Sequence, residues 1–111
     1  MNKTQQLAYE KIKQEMRRGT IIMAAMSQLR DAQYGYSLIQ SLNDQGYEIG
    51  QDTLYPLLRR LEQQELLSSE WRVEDPRPRR YYQLSEAGLE VLNLLIKDWE
   101  EQDHVLRSLL K

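Results

Sequence analysis

The strongest helical pattern in this chain lies in residues 51–64, which read Gln-Asp-Thr-Leu-Tyr-Pro-Leu-Leu-Arg-Arg-Leu-Glu-Gln-Gln. Pro56 lacks an amide hydrogen and is tolerated only close to a helix start, so the helix is predicted to begin near residues 50–52. One face of this helix requires a hydrophobic core, because four leucines recur on it at helical spacing. They are Leu54, Leu57, Leu58 and Leu61.

The opposite face of this helix is polar and carries positive charge. At about 100° per residue, the side chains that point away from the leucines or flank that direction are Asp52, Tyr55, Pro56, Arg59, Arg60 and Gln63. Guanidinium, phenol and amide groups in this arrangement can hydrogen-bond a flat or grooved partner. A solvated surface is the ordinary use of such a face, but the segments that follow favour nucleic acid.

The composition is that of a small globular protein. Its 111 residues, 41% hydrophobic and 29% charged, suffice for one domain with one core. The sequence has neither a signal-peptide segment nor the run of about 20 apolar residues that spans a membrane. The absence of cysteine excludes disulfides and thiolate metal sites and fits a reducing compartment. We therefore expect a cytoplasmic protein that uses no cofactor and no metal.

The charge distribution is more informative than the total. The formal net charge of −2 argues mildly against nucleic-acid binding. However, residues 1–84 carry a net charge of +1 and residues 85–111 a net charge of −3. Basic clusters in the first part of the chain are thus free to meet phosphate. The charge balance alone does not decide between partners.

Two further helices are predicted upstream of residues 51–64. The first covers about residues 5–29, with Gly19 as a weak point where it bends or breaks. The second follows a connector at residues 31–36 and ends at Gly46, a residue suited to a helix C-cap. Two helices of about a dozen residues joined by a short link form a helix-turn-helix, whose second helix can enter a major groove.

A β-hairpin is predicted directly after the helix-turn-helix. Residues 66–73 and 79–84 have strand composition, and residues 74–78 have turn chemistry. The hairpin is basic, with Arg72, Arg77, Arg79 and Arg80. Such a hairpin is a wing that contacts the phosphate backbone or a minor groove. Alternatively, these arginines only keep an exposed hairpin soluble and block edge pairing.

The chain is predicted to finish in one long helix, capped by Ser85 and able to continue to Lys111. A helix of about 25 residues is roughly 37 Å long and extends beyond so small a body. Its apolar stripe needs a partner, either the first helix or a second copy of the chain. The fold class is therefore mainly α with a small β-hairpin: a winged helix-turn-helix at residues 1–84 and a dimerisation helix at residues 85–111.

Four segments resemble the PadR family of transcriptional regulators. They are Tyr-Gly-Tyr-Ser-Leu-Ile (34–39), Thr-Leu-Tyr-Pro-Leu-Leu-Arg-Arg-Leu-Glu (53–62), Leu-Leu-Ser-Ser-Glu-Trp (66–71) and Pro-Arg-Arg-Tyr-Tyr-Gln-Leu-Ser-Glu-Ala-Gly (78–88). The last helix is short, as in the compact subgroup of that family, which lacks the larger C-terminal helical domain. The wing loop departs from the family pattern, since it has prolines and acids where many members have glycines.

The resemblance implies a homodimer that binds double-stranded operator DNA, and it assigns roles to residues. The implied DNA-binding residues are Tyr36, Gln51, Asp52, Thr53, Tyr55, Pro56, Arg59, Arg60, Arg77, Arg79 and Arg80. The implied dimerisation residues are Leu92, Leu95, Ile96, Trp99, Leu106 and Leu109. Arginine is the expected base-reading residue, because its planar fork meets guanine N7 and O6 together. Tyr55 is expected to hold a phosphate.

Some compact members of the family resemble multidrug sensors. Their last helix supplies a tryptophan that stacks on a planar aromatic drug and an acid that lies near its positive charge. Trp99 and Asp103 match that position and spacing, and stacking and cation–π attraction make the pair reasonable. The alternative is that Trp99 is dimer core and Asp103 a solvated acid.

These residues fit three functions to different degrees. A ligand-responsive repressor that binds a palindromic operator fits the motifs best, and a winged-helix adaptor that binds protein without binding DNA is the alternative. An enzyme is the weakest, because the single histidine, His104, has no nucleophile or metal-ligand partner.

Overall fold

The computed structural model describes residues 1–73 and 77–111. Its elements are α1 (Lys3–Ser27), β1 (Gln33–Tyr34), α2 (Gly35–Asp44), α3 (Gln51–Gln63), β2 (Leu67–Val73), β3 (Pro78–Leu84) and α4 (Glu86–Leu109). The predicted mainly α fold with a basic hairpin is confirmed. Most of the predicted wing loop, residues 74–76, lies outside the described residues. No described helix has the length and hydrophobicity needed to cross a bilayer.

The sheet has one strand more than the sequence predicted. The strands are antiparallel in the order β1-β3-β2, and the added strand, β1, pairs Gln33 with Tyr82 and Tyr34 with Tyr81. A strand of two residues has no periodicity, so the sequence predicted only a connector there. Helix α1 also differs from the prediction, because it continues through Gly19 without a break.

The core lies where the C-terminal half of α1, helices α2 and α3, the sheet and the start of α4 meet. All four leucines of the α3 stripe are buried, as predicted. Full burial of one such side chain stabilises a fold by about 1.5–3 kcal/mol, so this stripe fixes which face of α3 points outward. The largest fully buried side chains are Met26, Leu29, Leu38, Leu54, Leu58 and Leu92.

Helices α2 and α3 end in the same backbone motif. After α2, the Tyr47 amide donates to the Leu42 carbonyl at 2.8 Å while Gly46 has a φ of 91°, which confirms the predicted cap. After α3, the Leu66 amide donates to the Leu61 carbonyl at 2.9 Å. The left-handed residue is now Glu65, with a φ of 63°. A non-glycine residue there costs roughly 1–2 kcal/mol, and the turn it makes leads α3 directly into β2.

Helix α4 begins against this turn. The Ser85 hydroxyl accepts from the Gly88 amide at 2.9 Å and donates to the Glu65 carbonyl at 2.8 Å, which confirms the predicted cap. The first turns of α4 are therefore held on the body of the protein. Leu92 is consequently fully buried within the single chain, and its prediction as a dimerisation residue is wrong.

Two helical segments project from the body. The α1 arm (residues 3–16) is exposed along its whole length, and the α4 arm (residues 97–111) is exposed except for a half-buried Asp103. The molecule is 51 Å along its longest axis. The exposed large apolar side chains on the two arms are Leu7, Tyr9, Ile12, Met16, Trp99, Val105, Leu106, Leu109 and Leu110. Among residues 1–73 and 77–111, no part of the chain buries these side chains.

Candidate nucleic-acid interface

The outer face of α3 is an open polar surface of the helix-turn-helix. Arg59 and Arg60 are exposed, and within residues 1–73 and 77–111 neither forms an ion pair or a side-chain hydrogen bond. The other exposed residues on this helix are Gln51, Asp52, Thr53, Pro56 and Gln63. Because the leucine stripe is buried behind them, the two guanidiniums are held outward and remain available to a partner.

The two tyrosines predicted to contact DNA differ in their surroundings. Tyr36 is 55% exposed in the first turn of α2, and its hydroxyl accepts from Gln40 Nε2 at 3.0 Å. Tyr55 is half-buried, with its ring against Gly35. A Cβ at Gly35 would lie 2.7 Å from Tyr55 Cζ, so the absence of a side chain at position 35 lets the Tyr55 ring pack closely there. Tyr55 thus helps to pack α3 on α2.

The arginines of the wing (β2, β3 and the turn between them) point to opposite faces of the sheet. On the outer face, the Arg79 guanidinium lies 4.4 Å from the centre of the Tyr34 ring, and that of Arg72 lies 4.1 Å from the centre of the Tyr81 ring. Arg72 also pairs with Glu70 at 2.9 Å. These contacts stack two cations on two rings. Arg77 is exposed beside the turn.

Arg80 lies on the inner face and is bound within the chain. Its Nη2 donates to Glu62 Oε1 at 2.8 Å, and its Nε donates to Ser69 Oγ at 3.0 Å. The Ser69 hydroxyl in turn donates to Glu62 Oε2. We call Glu62, Ser69 and Arg80 the wing triad. The sequence did not predict a role for Glu62 or Ser69. The only signal that could have found them is the alternation of the two strands, which puts Ser69 and Arg80 on the same face of the hairpin.

Tyr82 lies beside the wing triad and is 6% exposed. Burial raises the pKa of its phenol above the ordinary 10.0, and Arg80 opposes that shift while Glu62 adds to it. Because the pKa of Tyr82 is higher in the folded than in the unfolded protein, its neutral phenol contributes fully to the free energy of unfolding below pH 10. That contribution is lost as the pH rises through the raised pKa. Tyr82 therefore remains neutral over the physiological range.

The predicted effector residues lie on the α4 arm. Trp99 is 47% exposed and lines an open, largely apolar recess between α1 and α4 with Thr20, Met23, Tyr47 and Ile96. Asp103 accepts a hydrogen bond from Arg107 Nε at 2.9 Å, one turn further along. This pair of an exposed arginine and a half-buried aspartate, which the four-residue spacing could have predicted, shows that Asp103 already has a cationic partner.

Comparisons with known proteins agree on one family. A family model described as the transcriptional regulator PadR-like family matches residues 22–94. The crystal structure of a PadR family regulator from Eggerthella lenta DSM 2243 is 44% identical, covers 95% of this chain and 97% of its own, and superposes with a TM-score of 0.85. A PadR-like transcription factor from Bacteroides fragilis is 33% identical, covers 89% and 98%, and gives a TM-score of 0.77.

A curated relative is the transcriptional regulator Rv3488 of Mycobacterium tuberculosis. It is 49% identical over 55 residues, which are 50% of this chain and 51% of that protein. The match with this relative therefore spans about half of its length.

Proposed function

The chain belongs to the PadR-like family of transcriptional regulators, and on that premise we propose that it binds a palindromic operator as a homodimer. Helix α3 lies in the major groove, and the wing lies along the adjacent backbone. Transcription is repressed when the dimer occupies the operator in the cytoplasm, and a planar aromatic effector releases it.

The observation that carries the proposal is the pair of exposed guanidiniums on α3, which have no ion-pair partner among the residues that the structure describes. Arg59 and Arg60 are held outward by the buried leucine stripe on the opposite side of the same helix. An arginine so presented can donate two parallel hydrogen bonds to a guanine, which is the commonest specific contact in a major groove. Among the described wing residues, the exposed Arg77 and the stacked Arg79 add positive charge that suits phosphate.

Dimerisation is supported by the two projecting arms. Leu106 and Leu109 are 49% and 72% exposed on the α4 arm, and Met16 is 72% exposed on the α1 arm. Exposure of such apolar side chains to water is unfavourable, so a helix that projects from the body with them is expected to be covered by another chain. A second copy supplies the same two arms, and a two-fold axis between them sets two recognition helices one duplex turn apart.

The proposed DNA binding is tested with a duplex that the protein selects from a random-sequence library. We expect an enriched palindrome, two chains per duplex by sedimentation, and an affinity that falls by about a thousandfold or more between 50 and 200 mM salt. Counterions released from the phosphates are the reason for this steep dependence. An adaptor that binds only protein would enrich no duplex, and that outcome would refute the proposed function.

Effector binding is supported by the recess beside Trp99, which offers one aromatic face and an apolar lining. A planar cationic dye, ethidium, is expected to quench Trp99 fluorescence saturably in the absence of DNA, where its intercalation into a duplex cannot interfere. Trp71, which is 66% exposed on β2, is removed in a Trp71→Phe variant so that the signal has one source. The quenching should persist in that variant and vanish in Trp99→Ala. Equal quenching in both would assign the signal to non-specific contact.

A further inference from the structure

The wing triad joins three elements that the chain connects only through their ends. Glu62 is the penultimate residue of α3, Ser69 is in β2 and Arg80 is in β3. Resting on the proposed function, we infer that the triad fixes the angle between the recognition helix and the wing. Glu62 and Arg80 are thus positioning residues for DNA binding, and Arg80 is not one of the phosphate contacts.

The hydrogen bonds of Arg80 explain why it does not reach a phosphate. Two of its donor groups, Nη2 and Nε, are taken by Glu62 and Ser69. The guanidinium also lies 5.5 Å from the ring centre of Tyr82 and 6.0 Å from that of Trp71, both on the inner face. A phosphate that approached the remaining N–H groups of Arg80 would also approach the Glu62 carboxylate, which would repel it.

The position of the wing triad along the hairpin explains how it can restrict the hairpin's rotation relative to α3. Leu67 pairs with Leu84 at the base of the hairpin, next to the turn that leaves α3. Ser69 and Arg80 lie further toward the tip, where Trp71 pairs with Arg80. The hydrogen bond from Arg80 to Glu62 ties this part of the hairpin to α3. It therefore resists rotation of the hairpin about its base more than the contacts at the base do alone. The side chains of Glu62 and Arg80 are 27% and 39% exposed, so solvent screens the ion pair only in part.

The first test rests on the sign of an effect. Removing a carboxylate from a DNA-binding face ordinarily strengthens binding, because repulsion of the phosphates falls. Glu62→Ala is instead expected to weaken binding of the library-selected duplex by about fivefold to tenfold, which is within the range of one lost hydrogen bond of average strength. Glu70→Ala is the matched control, since Glu70 forms the exposed ion pair with Arg72 on the outer face. It should leave the affinity unchanged or slightly raised.

The second test separates positioning from direct contact. Arg80→Ala is expected to lower affinity about as much as Glu62→Ala, and the double variant no further, because both remove the same link. The slope of log affinity against log salt should stay as in the unmodified protein, whereas loss of a phosphate contact would reduce it by about 1. Exchanging the charges, Glu62→Arg with Arg80→Glu, should restore affinity, because the Ser69 hydroxyl can donate to one and accept from the other.

A readout independent of DNA completes the test. In the unmodified protein, the Arg80 Nε–H signal in nitrogen-15 NMR should exchange slowly with water, and it should broaden in Glu62→Ala. Binding is measured at a temperature at which thermal unfolding shows every variant to be fully folded. If the unmodified protein selects a duplex but Glu62→Ala binds it as Glu70→Ala does, the positioning role is refuted and the regulator proposal stands. If no duplex is selected while the Arg80 signal is protected, the regulator proposal fails, and the positioning role fails with it.

Discussion

Replacing both Arg59 and Arg60 with alanine is expected to lower affinity for the selected operator duplex at least about 30-fold, since each bidentate arginine–guanine contact discriminates by about 1–3 kcal/mol and two are lost. Both side chains are exposed on α3 without intrachain partners among the described residues, so their removal leaves no buried group unsatisfied. The fold should therefore be unaffected. Fluorescence anisotropy with the labelled duplex measures the loss, and thermal unfolding checks the fold.

The control for this prediction removes two positive charges elsewhere. Arg30 and Lys111 are exposed and lie outside α3 and the wing. Replacing both with alanine changes the net charge equally and should lower affinity only a few-fold, through the general field. A scrambled duplex should lose much less affinity than the operator in the Arg59→Ala/Arg60→Ala variant. Equal operator binding by the two double variants would show that α3 is not the recognition helix.

The second large effect is on stability, in a Gly88→Ala variant. Helix propensity alone predicts stabilisation by about 1 kcal/mol, because alanine is the better helix former. The packing predicts the opposite. A Cβ at Gly88 would lie 2.9 Å from the Leu66 carbonyl carbon, closer still to its oxygen, and 3.1 Å from Leu84 Cδ2. Backbone cannot rotate away as a side chain can, so we expect a net destabilisation of about 3 kcal/mol, measured by urea unfolding.

Gly19→Ala is the matched control for Gly88→Ala. Gly19 is also inside a helix, but a Cβ there would meet nothing within 4 Å. Propensity then acts alone, and the variant should be more stable by about 0.5–1 kcal/mol. Opposite signs for the same substitution would establish that α4 packs on the turn after α3. If both variants were stabilised, the contact between Gly88 and Leu66 would be absent in solution.

This contact also bears on the proposed DNA binding. The α4 arm carries the proposed dimer and effector surfaces, and Gly88 seats the start of α4 on Leu66, three residues after the end of α3. The Ser85 hydrogen bond to the Glu65 carbonyl secures the same junction. In the proposed dimer, a change in the direction of α4 would be passed through this junction to the end of α3. It would alter the spacing of the two α3 helices, and with it the affinity for the proposed operator.

The sequence by itself determined the elements whose signals are local. The leucine spacing in residues 51–64 set the buried face of α3, and the serine at position 85 and the glycine at position 46 marked helix ends that the structure confirms. Each of these signals acts within a few turns, where hydrogen bonding and side-chain direction follow from the order of residues. The outward direction of Arg59 and Arg60 followed from the same spacing.

Only the tertiary structure decided which way side chains of the same type face and which of them the rest of the protein covers. Arg79 and Arg80 are neighbours in sequence, yet one stacks on Tyr34 and the other binds Glu62, because a strand alternates faces and its register is set by distant partners. Leu92 and Leu106 belong to one predicted stripe, but only Leu92 is buried, since the body of the protein ends between them. Local order fixes periodicity, whereas the choice of face and the depth of burial depend on contacts between residues far apart in the chain.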